Sequence, residues 1–289
     1  MTSARSTLAS STEASQERVS GNAQNPPQNE SVSTPTSALA QELKDAVIEL
    51  NGEWDEQWEA VLELAPHLLA AYVDFAGVPH RKRQLDSKTR ELVYLAVDAA
   101  VTHMYAPGVR RHIRRALDLG ATAGEIAEVI ELTTPIGIHA MNIGVPLLSE
   151  VLEERGLSCT PRVLDVCQRE LKERFTARRG YWNSFWDEIL ELDPEMFEAY
   201  IEFSSVSWQH GYLEPKVKEF IYTAYDCAST HLYAKGLKVH MENALDYGAT
   251  AGELLEVMEI AATMGMQSAL QAMPVLREEL HPGRGDSRS

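Results

Sequence analysis

The 289-residue sequence predicts an all-α protein built as a tandem repeat of two helical domains. Residues 42–149 recur at 170–277, at a constant offset of 128 and without an insertion. In both copies apolar residues lie three and four positions apart, which is the helical period, and no alternating strand pattern stands out. The junction 120–125 returns unchanged at 248–253, where a glycine ends one helix and Thr-x-x-Glu caps the next.

The repeat divides the chain into four segments. Residues 1–37 are rich in Ser, Thr, Gln, Asn and Pro and poor in apolar residues, so we expect a disordered tail. The first helical domain is expected at 38–156 and the second at 157–281. Residues 282–289 are expected to form a loose C-terminal tail.

The helices of each copy can be placed in order, and we expect five or six per copy. Pro66 and Pro194 occupy positions where a helix would begin. Proline is tolerated in the first turn, because the N–H group that it lacks would have no partner within the helix. Ser87 and Pro215 mark the start of a longer helix in each copy. The other predicted helices are 54–65 and 182–193, 68–75 and 196–203, and a last apolar helix at about 136–152 and 264–280.

Composition excludes several classes of function. The net charge of −17, from 43 acidic and 26 basic residues, argues against non-specific binding to nucleic acid or an anionic membrane. No apolar run reaches about 18 residues and the start of the chain lacks an apolar leader, so we expect a cytoplasmic protein. Cys159, Cys167 and Cys227 are too few and too scattered for a disulfide framework or a thiolate metal site.

Each copy carries the pattern His-x-Tyr-Ala-x-Gly-x3-His, from His103 to His112 and from His231 to His240. On one continuous helix nine residues span about 900°, which would place the two histidines on opposite sides. Pro107 and Gly108 instead predict a bend followed by a new helix. The bend could turn both imidazoles toward one space, with Gly108 leaving room for a ligand beneath His112.

The order of elements around these histidines resembles the carboxymuconolactone decarboxylase and alkyl hydroperoxidase D family. The matching positions are Arg90-Glu91-Leu92-Val93, His112, Ala116, Gly120, Thr122 and Glu125, with Lys218-Glu219-Phe220-Ile221, His240, Ala244, Gly248, Thr250 and Glu253 in the second copy. The resemblance implies an all-α fold of two alkyl hydroperoxidase D-like domains. It also implies subunits that build trimers or hexamers, so we expect a homotrimer or another homo-oligomer.

The chain departs from the hydroperoxidase branch, whose members resemble Glu-x11-Cys-x2-Cys-x3-His. Counting forward from Glu91 reaches His103 and Ala106, and counting back from His112 reaches Tyr105 and Gly108. The second copy gives the same result, with no cysteine in either register. Without a thiolate there is no nucleophile to attack a peroxide, so thiol peroxidase activity is disfavoured.

The candidate catalytic residues are a glutamate, two histidines and a tyrosine in each copy. A near-neutral imidazole suits proton transfer, which favours His112 and His240 as the acid–base groups. The other histidine and the tyrosine could stabilise negative charge, while the glutamate orients a histidine, carries a proton or forms an internal salt bridge. Structural packing is the alternative role for each of them. The candidates are Glu91, His103, Tyr105 and His112, and Glu219, His231, Tyr233 and His240.

The copies also differ at positions that could contact a substrate. His139 is replaced by Gln267 in the second copy, and Arg111 is replaced by Val239. Arg111 and His139 are therefore candidate substrate-binding residues, and a cationic first copy would favour an anionic substrate. A solvated helix face is the alternative interpretation of the arginines.

The resemblance and these residues together predict a cofactor-free decarboxylase-like enzyme acting on a small organic acid or lactone. A metal-dependent enzyme is an alternative, because two histidines and a glutamate can bind zinc or iron. The usual short His-x3-His spacing is absent, so no metal ligand is predicted. A non-catalytic oligomeric binding protein is the third hypothesis.

Overall fold

A computed structural model describes residues 35–157 and 163–281 of the protein. Within these ranges the regular structure is helical throughout, which confirms the predicted all-α class. Nearly all of the predicted N-terminal tail, 1–37, and the whole of the predicted C-terminal tail, 282–289, lie outside the described residues. Of the first tail only 35–37 are described, and the first helix begins at Ser37.

Each repeat follows the same helix order. The first repeat contains α1 (Ser37–Asn51), α2 (Glu56–Leu64), α3 (Pro66–Lys82), α4 (Ser87–Ala99), α5 (Ala106–Asp118), α6 (Ala123–Thr133) and α7 (His139–Glu154). The second contains α8 (Val166–Arg179), α9 (Asp187–Leu192), α10 (Pro194–Ser204), α11 (Val206–His210), α12 (Pro215–Cys227), α13 (Ala234–Asp246), α14 (Ala251–Thr263) and α15 (Met266–Leu280).

The predicted number of five or six helices per copy is therefore too low. The described residues form seven α-helices in the first repeat and eight in the second. Helix α1 was not predicted, although its Leu39, Leu43 and Val47 lie four residues apart, as on one face of a helix. Its counterpart α8 was not predicted either; it is the more polar of the two helices and buries Leu171 and Phe175. The segment equivalent to α3 is interrupted after Ser204 and becomes α10 and α11.

The predicted helix boundaries are confirmed where their chemistry is local. Pro66 and Pro194 are the first residues of α3 and α10. Gly120 and Gly248 adopt left-handed φ angles of 86° and 83°, which a residue with a side chain rarely adopts. The six-residue junctions that follow form capping boxes at the starts of α6 and α14.

The last helix of each repeat packs on the other repeat. Helix α7 contacts α9, and its Val145 lies in an apolar cluster with Phe175 and Trp186. Helix α15 contacts α2, and its Leu270 lies in the matching cluster around Trp58. Each early-helix cluster is therefore completed by the other repeat, and the domain bounds 38–156 and 157–281 stay a prediction.

The central helices α4 and α12 pack directly against each other. Each contributes to two apolar clusters that combine residues of both repeats. Leu92 and Leu95 of α4 join Ile221 of α12 in one cluster, while Val93 joins Phe220 in the other. The core between the repeats is therefore continuous.

Two buried ion pairs connect the repeats crosswise at this core. Arg90 Nη2 on α4 lies 2.8 Å from Glu256 Oε1 on α14. At the equivalent positions, Lys218 Nζ on α12 lies 2.8 Å from Glu128 Oε1 on α6. All four side chains are almost completely shielded from solvent, so each charge depends on its partner.

The same carboxylates accept hydrogen bonds from the loops that precede the central helices. Glu256 Oε2 accepts from the backbone N–H of Gln84 at 2.6 Å. Glu128 Oε2 accepts from the backbone N–H of Leu213 at 2.7 Å. Each carboxylate therefore fixes both a cation and a loop of the other repeat.

Helices α7 and α15 present apolar side chains to solvent. Their exposed members are Ile143, Leu147, Leu148 and Val151 on α7, and Val275, Leu276 and Leu280 on α15. The stretch Ala123–Glu154 is long and apolar enough for a membrane-spanning helix by length and mean hydropathy. It includes a 3-10 turn at Thr134–Ile138, and Val129 and Leu132 of α6 are buried in the core. We therefore interpret it as two packed helices with an exposed apolar face on the second.

Replacing Glu256 by Gln should lower the free energy of unfolding by about 3 to 5 kcal/mol, because Arg90 would remain buried without a counter-charge. Urea unfolding followed by circular dichroism measures the change. Glu198→Gln is the matched control, since Glu198 pairs with Arg174 at the surface and should matter far less. Equal effects of the two substitutions would contradict a special role for the buried pair.

Candidate active sites

Helices α4 and α12 each place a glutamate, a tyrosine and an aspartate on one buried face. The residues are Glu91, Tyr94 and Asp98 in the first repeat, and Glu219, Tyr222 and Asp226 in the second. Separations of three and seven residues bring the three side chains to the same side of a helix. The four carboxylates are all buried. These faces are the foundations of two matched sites.

In the first site Glu91 holds His112 from one side. The Nδ1 atom of His112 lies 2.7 Å from Glu91 Oε2, and its ring stacks on Tyr94 with centroids 4.7 Å apart. The other oxygen of Glu91 accepts a hydrogen bond of 2.8 Å from Arg115 Nε. With Nδ1 engaged, the Nε2 atom of His112 faces Asp98, 3.6 Å from its Oδ2.

The turn between α4 and α5 brings His103 to the same aspartate. Met104 adopts a left-handed φ of 55°, and the Tyr105 N–H donates to the Asp98 carbonyl oxygen at 2.9 Å. Helix α5 then begins at Ala106. His103 Nε2 lies 3.8 Å from Asp98 Oδ1, so the predicted bend is confirmed and both imidazoles flank Asp98.

Two details of the predicted geometry are wrong. A Cβ atom on Gly108 would overlap the Asp98 carboxylate, so this glycine makes room for Asp98 and not for a ligand beneath His112. Tyr105 was expected to align with His112 if one helix ran through both. It precedes α5, and its hydroxyl lies 3.3 Å from Gln57 Oε1 on α2.

The first site is completed by Gln267 from the second repeat. Helix α15 carries this residue across to the first repeat, where its Nε2 donates to Asp98 Oδ1 at 2.7 Å. Its amide oxygen makes a short hydrogen bond with His103 Nε2. The amide therefore bridges the two residues: its NH₂ group donates to the aspartate, and its oxygen accepts from the histidine.

The second site repeats the glutamate–histidine arrangement. His240 Nδ1 lies 2.6 Å from Glu219 Oε2, and its ring stacks on Tyr222 at 4.5 Å. The second oxygen of Glu219 accepts from Asn243 Nδ2 at 3.3 Å, where the first site has Arg115. The glutamate of this site thus has a neutral neighbour in place of a cation.

The second site differs most where His139 replaces Gln267. Helix α7 brings His139 from the first repeat, and its Nδ1 lies 2.6 Å from His231 Nε2. The Tyr233 ring stacks on His139 with centroids 3.9 Å apart. His139 Nδ1 lies 3.9 Å from Asp226 Oδ1, and His231 Nε2 lies 3.7 Å from the same oxygen. Among the described residues neither Asp226 oxygen has a hydrogen-bond partner.

Burial and neighbouring charges shift the pKa values of the two sites. Burial raises the pKa of Asp98, and it raises that of Asp226 to about 7 although His240 opposes the shift. For Glu91 burial is outweighed by His112 and Arg115, so its pKa lies below the ordinary value. Burial, with the nearby charge of His231, lowers the pKa of His139 to about 3. The second site therefore holds a neutral imidazole beside a carboxyl group that ionises near neutral pH.

A small cavity adjoins the second site. It has a volume of about 20 Å³ and is lined by His139, Tyr233 and His240 together with aromatic neighbours. A cavity of this size holds about one water molecule.

Arg111 is placed differently from the other arginines of α5. Only 4% of it is exposed, and its guanidinium lies 3.4 Å from Glu53 and 3.5 Å from Asp55. The side chain of Arg114 is 59% exposed and fits the solvated face considered above. A substrate-binding role for Arg111 stays a prediction, since two carboxylates already balance its charge.

The structure brings together each predicted glutamate and both histidines of its repeat. The tyrosines Tyr105 and Tyr233 lie beside the sites, and His139 enters the second one. The aspartate and the stacking tyrosine of each site were not predicted from the sequence, and Gln267 was predicted only as a difference between the copies. The sequence did contain a signal for the tyrosine and the aspartate, because each is the same residue in both copies. The missed residues are Tyr94, Asp98, Tyr222, Asp226 and Gln267.

Comparison with known proteins agrees with the repeat. The model of the carboxymuconolactone decarboxylase family matches residues 66–142 and 194–278, one range in each repeat. A crystal structure from Burkholderia xenovorans LB400, provisionally named a gamma-carboxymuconolactone decarboxylase subunit, is 49% identical with a TM-score of 0.83. The match covers 86% of this chain and 98% of that chain. No match was found among curated proteins.

Replacing Arg115 by Gln should lower the free energy of unfolding at pH 7 by about 1 to 2 kcal/mol, because the charged Glu91 would lose a charge-assisted hydrogen bond. The folded-state pKa of Glu91 lies below the ordinary 4.5, so the stabilisation from its pairing exists above that value and disappears as pH falls through the folded pKa. The difference from wild type should therefore shrink at acid pH. Urea unfolding at pH 7 and pH 4 measures it.

Arg114→Gln is the control on the same helix, and this exposed arginine should have little effect at either pH. A deficit for Arg115→Gln that persists unchanged at acid pH would contradict the electrostatic explanation.

Proposed function

Because the chain belongs to the carboxymuconolactone decarboxylase family, we propose that it is a decarboxylase-like lyase acting on a small organic acid or lactone by histidine acid–base catalysis. The observation that carries the proposal is the 2.7 Å contact between Glu91 and His112 Nδ1. A carboxylate in this position fixes the ring and its tautomer, and it stabilises the imidazolium that proton transfer requires.

The free nitrogen of His112 is the acid–base atom in this proposal. Glu91 accepts the Nδ1 proton, so Nε2 is left to exchange a proton with a substrate. His240 has the same arrangement with Glu219 in the second site. We assign the reaction first to His112, because Arg111 and Arg115 place positive charge at the first site, where the second has Val239 and Asn243.

Decarboxylation then needs one proton and a place for a transient negative charge. The bond to the carboxyl carbon breaks, its electron pair moves into the adjacent carbonyl group as an enolate, and carbon dioxide leaves. Protonated His112 gives its Nε2 proton to the carbon and takes a replacement from water. One proton is consumed for each carbon dioxide released.

Nearby donors and positive charge support the enolate. Burial raises the pKa of Tyr105 to about 12, so its hydroxyl keeps its proton at neutral pH. The positive charge of Arg111 acts on Tyr105 and on Asp98. His103 adds a further ring nitrogen beside Asp98. Preorganised groups of this kind are the main requirement for stabilising a developing anion.

Replacing His112 by Asn should lower decarboxylase activity at least 100-fold, because the Asn amide can replace Nδ1 toward Glu91 but supplies no group at Nε2. The assay measures carbon dioxide release from lactones and carboxylic acids, beginning with gamma-carboxymuconolactone. His240→Asn in parallel tests the second site.

His67→Asn is the control, because this histidine is exposed on α3 and should be dispensable. Release of carbon dioxide from none of the substrates by the wild-type protein would overturn the decarboxylase proposal. Full activity in the His112 and His240 double variant would overturn the histidine mechanism and favour a different site.

We also propose that the protein is a cytoplasmic homo-oligomer, with a homotrimer as the first expectation. The exposed apolar face of α7 supports association, since Leu147 and Leu148 lie beside Ile143 and Val151 without cover from the described residues. The corresponding face of α15 offers a second, similar surface. The net charge of −17 supports the proposal that nucleic acid and membranes are not partners.

Replacing Leu147 and Leu148 by Asp should convert the oligomer to monomers, because two charges would be buried in the contact. Size-exclusion chromatography with light scattering compares the mass with multiples of the 32.2 kDa chain. Leu39→Asp on α1 is the control, an exposed leucine outside this face. A monomeric wild-type protein would overturn the proposal.

A further inference from the structure

The three groups His139, His231 and Asp226 form an arrangement that has no counterpart in the first site. We propose that the second site binds one divalent transition-metal ion through His139 Nδ1, His231 Nε2 and an Asp226 oxygen. The first site, with Gln267 in place of His139, binds none. The inference goes beyond the decarboxylase proposal, which assigns its proton transfer to His112.

The distances fit a small ion after a modest rearrangement. A tetrahedral ion with bonds of about 2.0 to 2.1 Å holds its ligand atoms about 3.3 Å apart. The two ring nitrogens are 2.6 Å apart, and they lie 3.9 and 3.7 Å from Asp226 Oδ1. These separations lie on both sides of the required value, and all potential ligand atoms fall within 4.8 Å of one another. Shifts of less than about 1 Å would complete the geometry.

The buried carboxylate of Asp226 independently supports a bound cation. Its exposed fraction is 0%, and neither carboxylate oxygen accepts a hydrogen bond from the described parts of the chain. Leaving a buried carboxylate unsatisfied is costly, so such groups in proteins are normally hydrogen-bonded, paired or bound to a metal. The two facing ring nitrogens offer Asp226 no donor within hydrogen-bond distance.

In the first site one oxygen of the equivalent aspartate, Asp98, has a hydrogen-bond partner without a metal, whereas Asp98 Oδ2 has none among the described residues. There Gln267 donates to Asp98 Oδ1 at 2.7 Å and accepts from His103. A histidine at position 139 cannot bridge in this way, because its Nδ1 meets another imidazole nitrogen. The substitution removes the bridge and adds a second nitrogen ligand, and two histidines with one carboxylate are a recognised ligand set for zinc and iron.

The surroundings suit a charged ion with an open coordination position. Asp226 and the neighbouring Glu219 are the carboxylates of this site, and the cavity beside it is lined mainly by aromatic side chains, together with Asn142 and Arg179. The adjacent cavity of about 20 Å³ has room for one water molecule as a further ligand. The Tyr233 ring packed on His139 limits the movement of that ligand.

Cobalt binding to the full-length protein tests the inference. The protein is treated with a chelator, dialysed and titrated with Co²⁺ alone, and binding is followed by calorimetry and by the visible absorption of four-coordinate cobalt. The wild-type chain should bind one equivalent. His139→Gln, which introduces the residue that Gln267 supplies to the first site, and His231→Gln should each weaken binding more than about 100-fold.

His103→Gln is the matched control, because it changes the equivalent histidine of the first site and should leave cobalt binding intact. Circular dichroism verifies that all three variants remain folded. No stoichiometric binding by the wild-type protein, or unchanged binding by the His139 and His231 variants, would overturn the inference and leave a proton as the partner of Asp226. Since no substrate is present, the result is independent of the carbon dioxide assay.

Discussion

The exchange of α7 and α15 between the repeats is the constraint on which both sites depend. Each helix leaves its own repeat and completes the early-helix cluster of the other, so Gln267 reaches Asp98 and His139 reaches His231 only in the assembled pair. The crosswise pairs of Arg90 with Glu256 and of Lys218 with Glu128 fix the central helices against the opposite repeat. Because these charges are buried, an arrangement that separated them would be strongly disfavoured.

The two sites share one frame and differ in its electrostatics. In both, a glutamate holds a histidine at Nδ1 while an aspartate faces the imidazoles. Arg115 places a cation behind the glutamate of the first site, where the second site has Asn243. The histidine of α7 then leaves Asp226 without the amide donor that Asp98 receives. We propose proton transfer for the first site and metal binding for the second, both built on this one frame.

Features fixed by neighbouring residues were predictable from the sequence. The capping boxes, the first-turn prolines and the bend before α5 all follow from chemistry within a few residues. The helix exchange was not predictable, because apolar periodicity shows which face of α7 is buried but not which repeat covers it. The same applies to Gly108, whose lack of a side chain admits Asp98 from a different helix. Asp98 itself was identifiable from its identity with Asp226.

Fusion of the two repeats has a consequence for how the sites can change. In an assembly of identical single-repeat chains, any substitution appears at every site, so a new ligand cannot be gained at one without altering the rest. In this chain the codons for residues 139 and 267 are separate, and they already specify His and Gln. A duplicated gene can therefore retain the ancestral chemistry in one half while selection acts on the other, with both halves still needed to build either pocket.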